Sequence, residues 1–130
     1  MTAEYAYDYA ILRVVPRVDR GEAVNVGVIL SCPELQFLEA RIGLDETRLL
    51  TLDPTVDLQT VRETLNAIVA VCRGDGETGP LGEMPQRNRF HFLVAPRSTI
   101  VQTSPTHTGR TSDPTATLDA LMLKLVRPPR

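Results

Sequence analysis

The sequence predicts an α+β fold, in which an antiparallel sheet of about four strands carries two main helices on one face, in the order β-β-β-α-β-α. Apolar residues occupy every second position between 24 and 32, the period of a strand with one buried face. They recur every three or four positions in 58–72 and 118–125, the spacing of amphipathic helices. At 130 residues and 42% hydrophobic content, the chain is expected to form a single domain over 1–130.

The first part of the chain predicts a three-stranded meander. Residues 5–15 are mostly aromatic, β-branched or aliphatic until Pro16, which indicates the first strand. The alternation in 24–32 indicates the second strand, and a shorter alternation in 38–42 indicates the third. The second strand is expected to place five residues on one face: Val24, Val26, Val28, Leu30 and Cys32.

Helices dominate the rest of the prediction. A short helix is expected over 45–52, and a long one from the N-cap Asp57 to a stop at Gly74. The glycine-rich segment 74–85 is expected to be a loop, followed by a short helical piece over 87–94.

Residues 98–103 predict a fourth strand, followed by a hydroxyl-rich loop. A closing helix begins after Asp113, with Pro114 in its first turn, and is expected to end at Pro128 and Pro129.

Composition excludes several classes of protein. The longest apolar runs fall far short of the ~20 residues of a membrane-spanning helix, and the start of the chain lacks the pattern of a signal peptide, so a cytoplasmic protein without membrane contact is expected. Cys32 and Cys72 stand alone, which disfavours a zinc site. The standard cofactor and catalytic motifs are absent, so neither a metal nor a cofactor is predicted.

The segment 97–109 concentrates the side chains best suited to chemistry. Arg97, Ser98 and Thr99 offer a guanidinium fork and two hydroxyls to a phosphate or carboxylate, although a strand-edge arginine with ordinary turn hydroxyls explains them equally well.

The second half of that segment contains Ser104 and then His107, Thr108 and Gly109. His107 is the candidate acid or base if the protein is an enzyme, which the sequence leaves uncertain and does not favour. A solvated or turn-capping histidine is the simpler reading, and Ser104 before a proline is typical of turns.

Two residues of the second strand complete the candidate set. Asn25 and Gly27 are expected on its less apolar face, where a glycine leaves room for a ligand. A β-bulge or a closely packed helix also explains Gly27, and that explanation is favoured.

Nucleic acid is a third kind of partner to consider. Phe90 and Phe92, with Arg87, Arg89 and Arg97, offer stacking and phosphate contacts for a single strand. The net charge of −2 and the absence of a recognised nucleic-acid module make this partner unlikely.

Three stretches together resemble a bacterial family, the domain of unknown function 3037 (DUF3037). They are YDYAILRVVP at 7–16, VNVGVIL at 24–30, and the run from PRST at 96–99 to SPTHTG at 104–109. The resemblance covers nearly the whole chain. It carries over no catalytic role, but genes of this family often lie beside one for a kinase-like protein of the HipA type, which implies a protein partner.

Three functional hypotheses follow from the sequence. The first is a non-enzymatic accessory module that binds a protein partner through a face carrying Asn25, Arg97 and His107, and the resemblance implies a HipA-type kinase-like protein as the candidate partner. The second is a small enzyme or sensor that binds a phosphorylated small molecule through 97–109. The third is a protein that binds single-stranded nucleic acid.

Overall fold

The structure, a computed structural model, describes residues 2–127. Five strands form one sheet: β1 (Tyr5–Val14), β2 (Val24–Cys32), β3 (Phe37–Ile42), β4 (Val101–Thr103) and β5 (His107–Thr111). Five helices accompany it: α1 (Glu46–Leu52), α2 (Leu58–Arg73), α3 (Pro80–Glu83), α4 (Gln86–Leu93) and α5 (Pro114–Leu125). The predicted α+β class and the antiparallel sheet are confirmed.

The long first strand, β1, organises the sheet. One edge of β1 pairs with β2, which pairs with β3, so the predicted meander is confirmed. The other edge of β1 pairs with β4 at 12–14 and with β5 at 5–9. The sheet therefore has five strands rather than about four, because the segment predicted as a hydroxyl-rich loop forms β5.

A β-bulge in β2 changes which side chains share a face. Leu12 pairs with Gly27 and Arg13 with Asn25, so Val26 has no partner on β1. At a bulge, the side chains of two neighbouring residues lie on the same face of the sheet. Beyond it, the alternation of side chains between the two faces is therefore reversed. Val24 and Val26 consequently lie in a different apolar cluster from Val28, Leu30 and Cys32. The prediction that these five residues share one face is wrong.

The two main helices lie on opposite faces of the sheet, not on one face as predicted. The side chains of α2 pack with Leu12 and Ile29, in a cluster that also includes α4. Those of α5 pack with Val28 and Leu30 in the second cluster. Because β2 has apolar side chains on both faces after the bulge, each face needs a helix to exclude water.

Most predicted boundaries are confirmed. The Asp57 carboxylate accepts one hydrogen bond from the Thr60 hydroxyl and another from the Thr60 backbone N–H at 3.1 Å. Both bonds lower the pKa of Asp57. Gly74 ends α2 in the left-handed conformation, with φ of 72°. The predicted loop 74–85 instead contains a 3-10 turn and α3. The predicted stop at 128–129 lies outside the described residues.

Arg89 joins the helices on the α2 face. Its side chain is 8% exposed and donates from Nη1 to the carbonyls of Val71 and Cys72, at 2.7 and 2.9 Å, and from Nε to that of Met84 at 2.9 Å. The first two carbonyls are in the last turn of α2, where the helix dipole favours a positive charge. The guanidinium thus connects the end of α2 to the start of α4.

Replacing Gly27 with alanine is expected to destabilise the fold by about 2 kcal/mol. An added Cβ would lie 2.5 Å from the backbone carbonyl oxygen of Arg41, so the β2–β3 pair has to move apart. Urea unfolding measures the loss. Gly76→Ala is the control because its Cβ would meet nothing within 4 Å. Equal stability of the two variants would contradict the close approach.

Replacing Arg89 with methionine is expected to cost about 3 kcal/mol, since three carbonyls lose a charged donor while the apolar volume is largely kept. Arg73→Met, at an exposed position of α2, is the control and is expected to cost less than about 1 kcal/mol. Similar urea midpoints for the two variants would show that the Arg89 bonds contribute little.

Candidate functional site

Two neighbouring cavities lie between α2 and the segment 97–103. The narrower one, of about 200 Å³, has apolar walls that include Leu12, Ile68 and Leu93. The wider one, of about 580 Å³, includes Val18 and Ile100. Four residues line both cavities: Thr64, Arg97, Thr99 and Val101. We call the two cavities together the Arg97 groove.

Arg97 is held in position at the boundary of the two cavities. Its Nη2 donates to the carbonyl of Phe92 at 2.8 Å, and its guanidinium lies 4.7 Å from the centre of the Phe92 ring. The Phe92 ring is itself 46% exposed. Within residues 2–127, Arg97 forms no ion pair, and no Asp or Glu lines the groove. The groove therefore carries one exposed positive charge beside apolar walls.

Most of the other polar groups at the groove already donate their hydrogen bonds within the protein. The hydroxyl of Thr64 donates to Thr60, that of Thr99 to Val101 and that of Thr103 to Val94, each to a backbone carbonyl. Ser98 is exposed and lines the wider cavity. Arg97, Ser98 and Thr99 are thus close together. The Thr99 hydroxyl, however, can act toward a ligand only as a hydrogen-bond acceptor, because it donates to Val101.

His107 lies on the other side of the sheet from Arg97. It pairs with Tyr9 across β1 and β5, and their ring centres are 5.2 Å apart. Tyr9 packs against the α5 cluster, whereas the Arg97 groove is lined by α2 and Leu12. The structure does not bring His107 to the candidate anion holders.

Thr108 and Gly109 follow His107 in β5. Thr108 is exposed, while Gly109 lies against the ring of Tyr7, which an added Cβ would strike. Burial, together with the nearby Tyr9, raises the pKa of Tyr7. Gly109 therefore has a packing role, since a tyrosine occupies the space above it.

Ser104 lies at the junction between β4 and β5, where it bonds to Ile11 of β1. Its backbone N–H donates to the Ile11 carbonyl at 2.9 Å, and its hydroxyl accepts from the Ile11 N–H at 2.8 Å and donates to the Pro105 carbonyl. The side chain is 2% exposed. These bonds occupy the hydroxyl within the protein.

Asn25 and Gly27 have structural contacts. The Asn25 side-chain amide donates to the carbonyl of Leu125 at 2.9 Å and so caps the end of α5. Gly27 belongs to the bulge, where the β3 backbone fills the space beside it. Asn25 lies on the α5 face, so Asn25, Arg97 and His107 do not share one face.

The residues considered for nucleic acid are mostly engaged elsewhere. Phe90 is 1% exposed, and Arg89 is buried against carbonyls. Arg87 forms an ion pair with Asp8 at 2.6 Å and donates to Ser31 at 3.2 Å. Phe92 and Arg97 are the exposed residues of this set and contact each other, while the Arg87 side chain is 40% exposed within its ion pair.

A family model described as protein of unknown function (DUF3037) matches residues 9–126, nearly the whole chain. The chain belongs to the DUF3037 family. The predicted membership is thereby confirmed, and all candidate residues of this DUF3037 chain lie within the matched range. Neither a curated protein nor a solved structure matches the chain. Among the described helices, none is long and apolar enough to cross a membrane.

The sequence did not indicate the residues of α2, or those between β1 and β2, that complete the Arg97 groove of this DUF3037 protein. Thr64 and Ala67 belong to a helix for which the sequence indicates only an apolar stripe, and Val18 lies between the first two predicted strands, where the sequence indicates no site. Phe92 was considered for stacking on bases and is instead the support of Arg97. No local pattern links positions 18, 64 and 92, so only the folded chain brings them together.

Replacing Ser104 with alanine is expected to cost about 2 kcal/mol, because the buried Ile11 N–H loses its acceptor. Ser98→Ala, at an exposed position of the same segment, is expected to change stability by less than about 0.5 kcal/mol. Thermal or urea unfolding of both variants tests the difference. Similar stabilities would leave Ser104 available as a binding residue.

Proposed function

We propose that this DUF3037 protein is a non-enzymatic accessory module that binds a protein partner through the Arg97 groove. The observation that carries the proposal is the guanidinium of Arg97, which lies between two apolar cavities, contacts Phe92 and forms no ion pair within residues 2–127. Apolar surface that stays exposed next to a held charge is typical of a binding surface. A kinase-like protein of the HipA type is the partner that the family resemblance implies.

The phosphorylated-ligand alternative is less well supported. Its anion holders, Arg97 and Ser98, are near each other, but His107, its acid or base, lies across the sheet. A general acid or base has to reach the reacting group within hydrogen-bond distance. Binding of phosphorylated ligands without a reaction is the part of this alternative that the geometry leaves open.

Size-exclusion chromatography of the chain with the kinase-like protein tests the proposal. We expect the wild-type chain to co-elute with it and Arg97→Glu to weaken the complex at least about tenfold, because the reversed charge repels a complementary partner surface. Arg110→Glu is the matched control, since Arg110 is exposed on β5 and also donates to a carbonyl, that of Glu4.

Co-elution of both variants at the wild-type level would contradict the groove as the docking surface. Absence of a complex with the wild-type chain would contradict the proposed partner. Specific binding of nucleotides or phosphoesters that Arg97→Ala abolishes would favour the alternative function.

A further inference from the structure

We propose that the partner segment that docks in the Arg97 groove carries a carboxylate side chain next to an apolar side chain of about the size of leucine or phenylalanine. This inference rests on the proposed function and adds the chemistry of the segment. It follows from the charge, the hydrogen-bonding groups and the size of the groove.

The charge of the groove selects an anionic group. Arg97 is the one charged side chain that lines either cavity within residues 2–127. One of its N–H groups is bound to the Phe92 carbonyl, and the guanidinium carbon lies 4.7 Å from the centre of the Phe92 ring, which restrains its position. A planar guanidinium with free N–H groups matches the two oxygens of a carboxylate.

The hydrogen-bonding groups favour a carboxylate over a phosphate. A phosphate offers three strong acceptor oxygens and needs several donors. At the groove the hydroxyls of Thr64, Thr99 and Thr103 already donate to backbone carbonyls. The side-chain amide of Gln102 likewise donates to the Thr99 carbonyl at 2.8 Å.

These four side chains therefore present mainly acceptor oxygens, which suit the backbone N–H groups of a peptide. The Arg97 fork and the exposed Ser98 hydroxyl are left as the main side-chain donors, and the fork is sufficient for one carboxylate. An acidic peptide satisfies both kinds of group, whereas a phosphate leaves the acceptor oxygens of the groove without donors.

The volume of the narrower cavity matches that of one apolar side chain. A cavity of roughly 150 Å³ in a protein interior holds a benzene molecule. The narrower cavity measures about 200 Å³ and has apolar walls from Leu12, Ile68, Val71 and Leu93. It has room for one leucine or phenylalanine side chain but not for a peptide backbone, which stays in the wider cavity.

Two blocked tetrapeptides probe this chemistry: acetyl-Ala-Leu-Glu-Ala-amide and its counterpart with Gln in place of Glu. We expect the acidic peptide to bind the wild-type chain about tenfold more tightly, as measured by NMR shifts of the Thr64, Thr99 and Val101 amides. Arg97→Gln is expected to remove the difference between the peptides, and Arg110→Gln, the matched control, to keep it.

A second pair of variants tests the cavity. Ala67 is exposed on α2 and lines the narrower cavity, so Ala67→Leu is expected to fill it and weaken both peptides at least about tenfold. Ala120→Leu, at an exposed position of α5 on the other face of the sheet, is expected to leave both affinities unchanged.

Equal affinity of the two peptides for the wild-type chain, or no binding by either, would overturn the inference. If inorganic phosphate produced the same amide shifts at a lower concentration than the acidic peptide does, the inference would be overturned in favour of a phosphorylated ligand. If Arg97→Glu disrupts the complex with the kinase-like protein and the peptides do not bind, the proposed function stands and only this chemistry fails. If the peptides bind as expected and the complex is unaffected, the proposed function fails.

Discussion

The β-bulge at Val26 is the constraint on which the rest of the structure depends. It reverses the alternation of β2, so that Val24 and Val26 face α2 whereas Val28, Leu30 and Cys32 face α5. A regular strand with the same residues would place all five alternating apolar side chains on one face and leave the other face to Asn25, Gly27, Ile29 and Ser31. Gly27 permits the close pairing of β2 with β3 beside the bulge, since the Arg41 carbonyl oxygen lies 2.5 Å from where its Cβ would be.

The α2 face is stabilised by polar contacts as well as by its apolar core. The buried Arg89 guanidinium donates to the carbonyls of Val71 and Cys72 in the last turn of α2, and it reaches the turn before α4. The ion pair of Arg87 with Asp8, and the bond from Arg87 to Ser31, attach α4 to β1 and β2. Together these contacts fix the position of Phe92, at the end of α4, and Phe92 in turn holds Arg97. The site thus depends on the same arginine-rich helix as the fold.

The candidate residues divide into two groups once their contacts are known. Asn25, Gly27, Ser104 and Gly109 take part in a helix cap, a bulge, a strand junction and a tyrosine contact, respectively. Arg97, Ser98 and Thr99 lie at an open groove, and His107 is exposed on the opposite face. Within this hydroxyl-rich segment, the N–H and the hydroxyl of Ser104 serve the junction of β4 and β5.

The sequence by itself determined the family, the α+β class, most strand and helix boundaries, and the caps at Asp57, Gly74 and Asp113, because these features depend on residues close together in the chain. It also singled out Arg97 as an anion holder from its residue type. The tertiary structure decided the faces of the two main helices, the extra strand β5, the burial of Arg89 and Phe90, and the groove around Arg97. Each of these depends on pairing or packing between distant segments. A one-residue bulge in β2 leaves the sequence period almost unchanged, yet it exchanges the two faces of a strand.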